Sequence, residues 1–403
     1  MPFIERTLTG QILQASKHFP VVVLTGARQV GKTTLLTHLF PERHYITLDR
    51  PSIAEQAETD PAFFFRNHPP PLVLDEIQYT PSLFRHLKIE VDQDRLAYGK
   101  FIVTGSQKFS LMREVQESLA GRVAILQLEG LSIRELVAAK ILPTALDLDL
   151  LVRIFTRGGF PELWIDPDKP HRLFLDSYIA TYLERDVRQV LAVGNLRDFE
   201  RFLRACALRS GQLLNKSDLA RDVGISVPTA TEWLSVLETL GQIVLLEPWF
   251  GNPSKRLVKS PKLYMCDPAM MIHLSGHQDT NLLTSPFIGA FWETLVFAEL
   301  RKQLSAEDIG GKWWFYRDQE QTEIDFVLEQ GTDLTFFECK WSDQPKVSDA
   351  KNMEKISNSL EKSQHIYRVK KQVLLSRAQE PFRLSPQLEV RPLSAVLQAL
   401  EVV

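Results

Sequence analysis

Residues 26–33 read Gly-Ala-Arg-Gln-Val-Gly-Lys-Thr, and no other segment restricts the folding of this chain so tightly. The octapeptide follows an apolar run, Val21-Val22-Val23-Leu24, and precedes a helical pattern, Thr34-Leu35-Leu36 to Leu39. Strand, glycine-containing turn and helix in that order point several backbone N–H groups and a helix N-terminus at one spot, which makes a cradle for phosphate. Gly26 and Gly31 let the backbone approach an anion closely. The spacing G-x-x-x-x-G-K-[ST] assigns Gly26, Ala27, Arg28, Gln29, Val30, Gly31, Lys32, Thr33 and Thr34 to the phosphates of ATP. Within it, Lys32 neutralises the β/γ oxygens and Thr33 holds Mg²⁺.

A second segment complements the first. Leu72-Val73-Leu74-Asp75-Glu76 is an apolar strand that ends in two carboxylates. Asp75 is expected to bind the ATP-linked Mg²⁺ through water or the Thr33 hydroxyl. Glu76 is expected to polarise an attacking water, which favours hydrolysis over mere nucleotide holding. The strand Phe101-Ile102-Val103-Thr104 runs into Gly105-Ser106-Gln107, where Ser106 is the candidate sensor of the γ-phosphate; the alternative is a solvated turn serine. Leu119-Ala120-Gly121-Arg122 precedes a further apolar run. Arg122 is the candidate arginine finger or sensor, because transferred phosphoryl charge needs a planar donor; the alternative is an ordinary surface arginine.

The pattern around these segments is α/β. Apolar runs at 21–24, 44–48, 72–74, 101–104 and 124–128 alternate with helical patterns, as in a parallel sheet buried on both faces. From 131 to 193 the pattern is helical, broken by Arg157-Gly158-Gly159-Phe160-Pro161. At 403 residues the chain has room for two or three domains. With 47 basic and 50 acidic residues it is too balanced to coat nucleic acid along its length. Cys206, Cys266 and Cys339 are far apart and form no CxxC pair, which argues against a disulfide framework or a cysteine zinc site. No apolar stretch reaches the roughly 20 residues of a membrane span, and MPFIERTLTG lacks the pattern of a signal peptide. The expectation is a cytoplasmic protein without membrane insertion.

Together GARQVGKTTLL, HYITLD, PLVLDEIQ, FIVTGSQ and LAGRV resemble the prokaryotic AAA-type ATPases of the AAA_14 kind, related to the STAND-type archaeal ATPases. RGGFPE is similar to a GG-x-P signature of that group. The resemblance extends to DSYIATYLERDV and EIDFVLE…FFECKW. It implies an ATP-using core followed by a C-terminal domain of unknown function, with a winged helix and a restriction-endonuclease-like unit.

The residues of the second half agree with that order. Residues 213–223 form a helical pattern with Asn215 as a possible N-cap; Gly224 makes a turn, and 226–240 form a second helix. Ala230, Trp233, Leu234, Leu237 and Leu240 make its apolar stripe, and a strand follows at 242–247. Helix, turn, helix and strand are the order of a winged helix. Its outward positions, Thr229, Thr231, Glu232, Ser235 and Glu238, include two carboxylates and suit DNA poorly. Lys255, Arg256, Lys259 and Lys262 cluster in the expected wing, either to touch a phosphate backbone or as a solvated loop. An interdomain coupling module is the leading reading of this region.

Further on, a helix at 290–303 precedes β-patterns at 312–316, 323–329 and 334–341. Asp325 and Glu338-Cys339-Lys340 make the D…E-x-K pattern of PD-(D/E)XK nucleases. In that arrangement two carboxylates bind Mg²⁺ or Mn²⁺ and Lys340 positions a water. Glu293 falls on the apolar stripe with Val296, Phe297 and Leu300, where a carboxylate is costly unless it meets a cation. The second candidate metal site is therefore Glu293, Asp325 and Glu338, with Lys340 beside them.

The expected architecture is an AAA-type P-loop core (1–130), a helical lid (131–195), a winged helix (196–275) and a smaller PD-(D/E)XK-like α/β domain (276–403). The leading expectation is an Mg-dependent ATPase acting as a switch or motor on a macromolecule, protein or DNA, with a homo-oligomer possible. A nucleotide-dependent DNA nuclease and a nucleotide-gated scaffold with little hydrolysis are the competing classes.

Overall fold

The computed structural model describes residues 3–105, 119–183, 196–250, 259–306, 310–362 and 366–395. The chain divides into two compact units. One comprises Met1–Leu131 with Phe160–Ile165 and Thr239–Gly241; the other comprises Ser132–Gly159, Asp166–Glu238 and Gln242–Val403.

In the first unit, five strands form one parallel sheet: β1 (Val21–Thr25), β2 (His44–Thr47), β3 (Leu72–Asp75), β4 (Phe101–Gly105) and β5 (Val123–Gln127). Their order is β2-β3-β4-β1-β5. The continuous apolar runs explain who sits where. β1, β3 and β4 are buried along their whole length in the middle, while β2 and β5 are half-exposed edges. Alternate residues serve opposite faces. Val21, Val23, Leu72, Leu74, Phe101 and Val103 join one core; Val22, Leu24, Val73 and Ile102 join the other. Since every strand is parallel, the loops that follow them gather at one end of the sheet. The phosphate-loop sequence and the Asp75–Glu76 pair both lie there.

The second unit contains two further sheets. Helices Leu196–Ala207, Lys216–Val223 and Val227–Thr239 accompany β6 (Gln212–Leu213), β7 (Ile243–Leu246) and β8 (Lys262–Met265), which pair antiparallel in the order β6-β8-β7. Asn215 caps the second helix through Ser217 and Asp218 N–H, and Gly224 ends it in the left-handed region. Ala230, Trp233, Leu234 and Leu237 are buried while Thr231, Glu232, Ser235 and Glu238 face out, so the stripe falls as the periodicity requires.

A six-stranded mixed sheet follows helix Ile288–Ala306. Its strands are β9 (Lys312–Arg317), β10 (Glu323–Gln330), β11 (Asp333–Cys339), β12 (Arg368–Ser376), β13 (Phe382–Arg383) and β14 (Leu388–Pro392). β9, β10 and β11 are antiparallel, helix Lys351–Lys362 intervenes, and β12 pairs parallel to β11. Antiparallel pairing brings Phe326 opposite Phe337, so Asp325 and Glu338 are cross-strand neighbours. Tyr316, Val327, Phe336, Met353, Ile356 and Leu374 are among the residues that form its core.

Candidate functional site: a phosphate loop and a carboxylate pocket

The phosphate loop joins β1 to helix Lys32–Leu39. Gly31 caps that helix at φ 94°, a left-handed backbone that favours glycine. Gly26 is required for a reason the motif does not announce: a Cβ there would lie 2.2 Å from the carbonyl oxygen of Leu128. Ala27, Arg28 and Gln29 are half-buried, Val30 is buried, and Thr33 and Thr34 are exposed. Gln29 stands at φ 59°, and its buried Oε1 has no hydrogen-bond partner. Arg6, absent from the motif, braces the loop from behind. Its guanidinium donates to the carbonyls of Val30 at 2.8 Å and Glu129 at 2.6 Å.

Lys32 is buried, and its Nζ donates to the carbonyls of Gly26 and Ala27, each at 2.9 Å, which holds the ammonium inside the loop. Thr33 Oγ1 donates to Asp75 Oδ2 at 2.9 Å. Tyr45 and Thr104 hydroxyls also donate to Asp75, one to each oxygen. Burial, followed by the bond to Asp75, raises the Tyr45 phenol far above its usual range, so it stays a donor. Glu76 takes a left-handed backbone at φ 58°; its N–H donates to Thr104 Oγ1 at 3.2 Å and its carboxylate accepts from Gln78. Thr104 therefore ties the two acidic residues together. A hydroxyl, an adjoining carboxylate and a lysine in the loop are the donor set that Mg²⁺-nucleotide requires, so the residues present fit that group.

Two candidates fare differently. Ser106 lies outside the described residues. Arg122 is a correction for any role within its own chain. It directly precedes Val123, which pairs with Val21 at the start of β1, and its carbonyl accepts the Val21 N–H. A five-residue strand spans about 16 Å, so Arg122 is at the opposite end of the sheet from the phosphate loop. There its Nε is 2.8 Å and one terminal nitrogen 3.2 Å from the two Asp92 oxygens. The Arg122 hydrogen bond holds the exposed Asp92 carboxyl below its usual range.

The C-terminal set does come together, around a residue that sequence reasoning placed elsewhere. Lys262, expected in a basic wing, is only 2% exposed and so cannot touch a phosphate backbone. Its Nζ lies 2.9 Å from Glu293, 2.5 Å from Glu323 and 3.9 Å from Asp325. Tyr264 donates to Glu293 at 2.5 Å, Arg317 to Glu323 at 2.5 Å and Cys339 N–H to Asp325 at 2.8 Å. Lys340 Nζ is 2.9 Å from Glu338 Oε1, while the buried Oε2 of Glu338 has no partner.

Burial opposes charge on Lys262, yet Glu293, Asp325 and Glu323 together raise its pKa, so it is a cation. Burial first, then Glu293 and Glu338, pushes Asp325 well up; burial likewise raises Glu338 against the pull of Lys340. Among the described residues, no group of three His, Cys, Asp or Glu is arranged to hold a metal ion. As folded, this pocket does not fit a divalent ion, because an ammonium already sits among the carboxylates.

The Gly158-Gly159 pair has a local explanation. A Cβ on Gly158 would lie 2.1 Å from Asp267 Oδ1, and Gly159 N–H donates to Asp267 Oδ2 at 2.7 Å. Asp267 is half-buried at the N-terminus of helix Pro268–Leu274 and accepts from Ala269 and Met270 as well.

A phosphate loop whose following helix carries the hydroxyl partner of Asp75, with β4 inserted between the two motif strands, defines a P-loop ATPase of the AAA type. Residues 18–137 match the family described as an AAA domain (AAA_14); 148–281 and 288–396 match two domains of unknown function, DUF8612 and DUF4143. An uncharacterised protein of Mycobacterium tuberculosis is 30% identical over 346 residues, covering 85% of this chain and 75% of its own. A Haemophilus influenzae protein is 20% identical over 300 residues, covering 72% and 70% respectively. Among solved structures, the Walker-type ATPase PABY2304 of Pyrococcus abyssi superposes with a TM-score of 0.45 at 17% identity, over 68% of this chain and 96% of that one. The chain belongs to the AAA_14 family of P-loop ATPases that continue into a C-terminal DUF4143 domain. No described helix is long and apolar enough to cross a membrane.

Proposed function

We propose that the first unit binds Mg-ATP at residues 26–34 and hydrolyses it, and that the second unit passes the resulting change to a macromolecular partner, protein or DNA, in the cytoplasm. The observation that carries this reading is the 2.9 Å bond between Thr33 and Asp75, with Glu76 directly after Asp75 and both tied to Thr104. Lys32 and the loop N–H groups bind and orient the phosphates. Mg²⁺ held by Thr33 and Asp75 would neutralise charge on the β/γ oxygens. Glu76 accepts the proton of the attacking water, and Gln78 fixes its carboxylate.

The domain division proposed with this function is 1–130 for the ATPase core, 131–195 for a helical lid, 196–275 for a winged helix and 276–403 for a restriction-endonuclease-like domain. The helix–strand–helix–helix–strand–strand order around β6–β8 supports the third. The helix, three antiparallel strands, helix and parallel strand around β9–β12 support the fourth. The nuclease reading is not adopted, because Lys262 occupies the middle of its carboxylate set. With Arg122 at the far end of its own sheet, a finger role would require a second copy of the chain. Purified Lys32→Ala protein should lose ATP turnover altogether; turnover equal to wild type would end the ATPase assignment.

A further inference from the structure

Four carboxylates of the second unit gather near one ammonium, and three of them lie within 4.0 Å of it. Glu293 comes from helix Ile288–Ala306, Glu323 and Asp325 from β10 and Glu338 from β11. The ammonium comes from β8, a strand of a different sheet. It is 2% exposed, and its Nζ sits 2.9 Å from Glu293, 2.5 Å from Glu323 and 3.9 Å from Asp325, with the Phe315 ring centroid at 5.7 Å. Arg317 takes the other oxygen of Glu323, and Lys340 takes one oxygen of Glu338.

The lysine does not complete the pocket. Glu338 is 7% exposed, and its Oε2 is buried with no hydrogen-bond partner. A buried carboxylate oxygen left unpaired is costly, and native interiors rarely keep one without a reason. The carboxylate oxygens of these elements are the hard donors that Mg²⁺ and Mn²⁺ prefer. An ammonium offers at most three N–H donors, whereas a divalent ion accepts six oxygen ligands, so the lysine is the poorer partner for so many oxygens.

We infer that Lys262 is an internal plug: its ammonium occupies the place of a divalent cation among Glu293, Glu323, Asp325 and Glu338, and the pocket takes Mn²⁺ or Mg²⁺ when that side chain is withdrawn. The inference is independent of the ATPase reading, and its test is run without nucleotide.

Full-length wild type, Lys262→Met and the charge-balanced Lys262→Met/Glu323→Gln are titrated with Mn²⁺, free ion being read by electron paramagnetic resonance and stability by thermal melting. Wild type should take up no Mn²⁺ in the range where Lys262→Met binds about one equivalent per chain, at least about tenfold more tightly. At a large excess over its dissociation constant, Mn²⁺ should raise the melting midpoint of the variant by about 4 °C and leave wild type unchanged. Adding Glu338→Gln to Lys262→Met should weaken the gained binding by about tenfold or more. If Lys262→Met does not fold alone, the charge-balanced variant decides. No gain of Mn²⁺ binding in either variant, or no recovery of soluble protein by Mn²⁺ when both misfold, overturns the inference. So does wild type binding Mn²⁺ as tightly as the variants. ATP turnover is measured alongside: a change there with no Mn²⁺ gain would point to damage at the phosphate loop and not to a plug.

Discussion

The phosphate loop and the C-terminal pocket are built from the same parts, lysine and carboxylate, arranged in opposite ways. In the loop, Lys32 donates to main-chain carbonyls while Asp75 is held by the hydroxyls of Thr33, Tyr45 and Thr104. The hydrogen bonds described at Lys32 and at Asp75 are made to main-chain carbonyls and hydroxyls. In the pocket, Lys262 is paired directly with Glu293 and Glu323. Charges that neutralise each other have little left for a ligand, and removing one partner leaves the other exposed to the full cost of burial. A D…E-x-K pattern therefore does not define a metal site unless the surrounding charges are known.

The largest test of that contrast is Glu76→Gln. On the proposed mechanism Glu76 accepts the proton of water and does not bind phosphate, so single-turnover hydrolysis should fall by about 10²–10³-fold with ATP affinity retained. Equal, negligible rates in wild type and variant would mean a nucleotide-gated scaffold and remove the difference between the two sites. The next effect is smaller and concerns Thr104, a positioning residue that ties Asp75 to the Glu76 N–H. Thr104→Val should lower kcat by about tenfold with KM nearly unchanged, and Thr104→Ser should restore it. Loss in KM alone would move Thr104 out of the hydrolytic machinery.

How far these sites can be read from sequence depends on the range of the interactions. Residues 26–34 and the Asp75–Glu76 pair announce themselves because strand, turn and helix fix their geometry within a few residues. The apolar runs likewise place β1, β3 and β4 at the centre of the sheet. Thr104 carries a weaker signal, a polar residue closing an apolar strand two positions before Ser106. Arg6 and Tyr45 carry none, since each works by reaching another element. Lys262 misled because its neighbours in sequence, Lys255, Arg256 and Lys259, suggest a solvated basic loop. Its actual partners, 31 and more residues away, come from another sheet and from helix Ile288–Ala306. Arg122 misled because a strand start and a strand end look alike in one dimension, although a parallel sheet puts them at opposite ends.

Chelation sharpens the comparison from the other side. If the cation of the C-terminal pocket is Lys262, EDTA should leave the melting midpoint of nucleotide-free wild type within about 1 °C, since nothing bound is removed. A fall of several degrees would show a resident metal and make the two regions alike.

The smallest expected effect belongs to Arg122. Its partner Asp92 is exposed, so the pair adds little to stability. Its carboxyl is held below the usual range, so the little it adds is present at neutral pH. That contribution is lost as pH falls below the ordinary carboxyl value near about 4 and through the lowered folded one. Arg122→Ala should keep the wild-type melting midpoint within about 1 °C and, in dilute monomeric protein, keep ATP turnover within about twofold. Turnover that falls in the monomer would contradict the placement of Arg122 at the far end of the sheet. Turnover that falls only as protein concentration rises would mean the arginine acts on a neighbouring copy. That outcome would leave the single-chain geometry intact and assign the oligomer a part in hydrolysis.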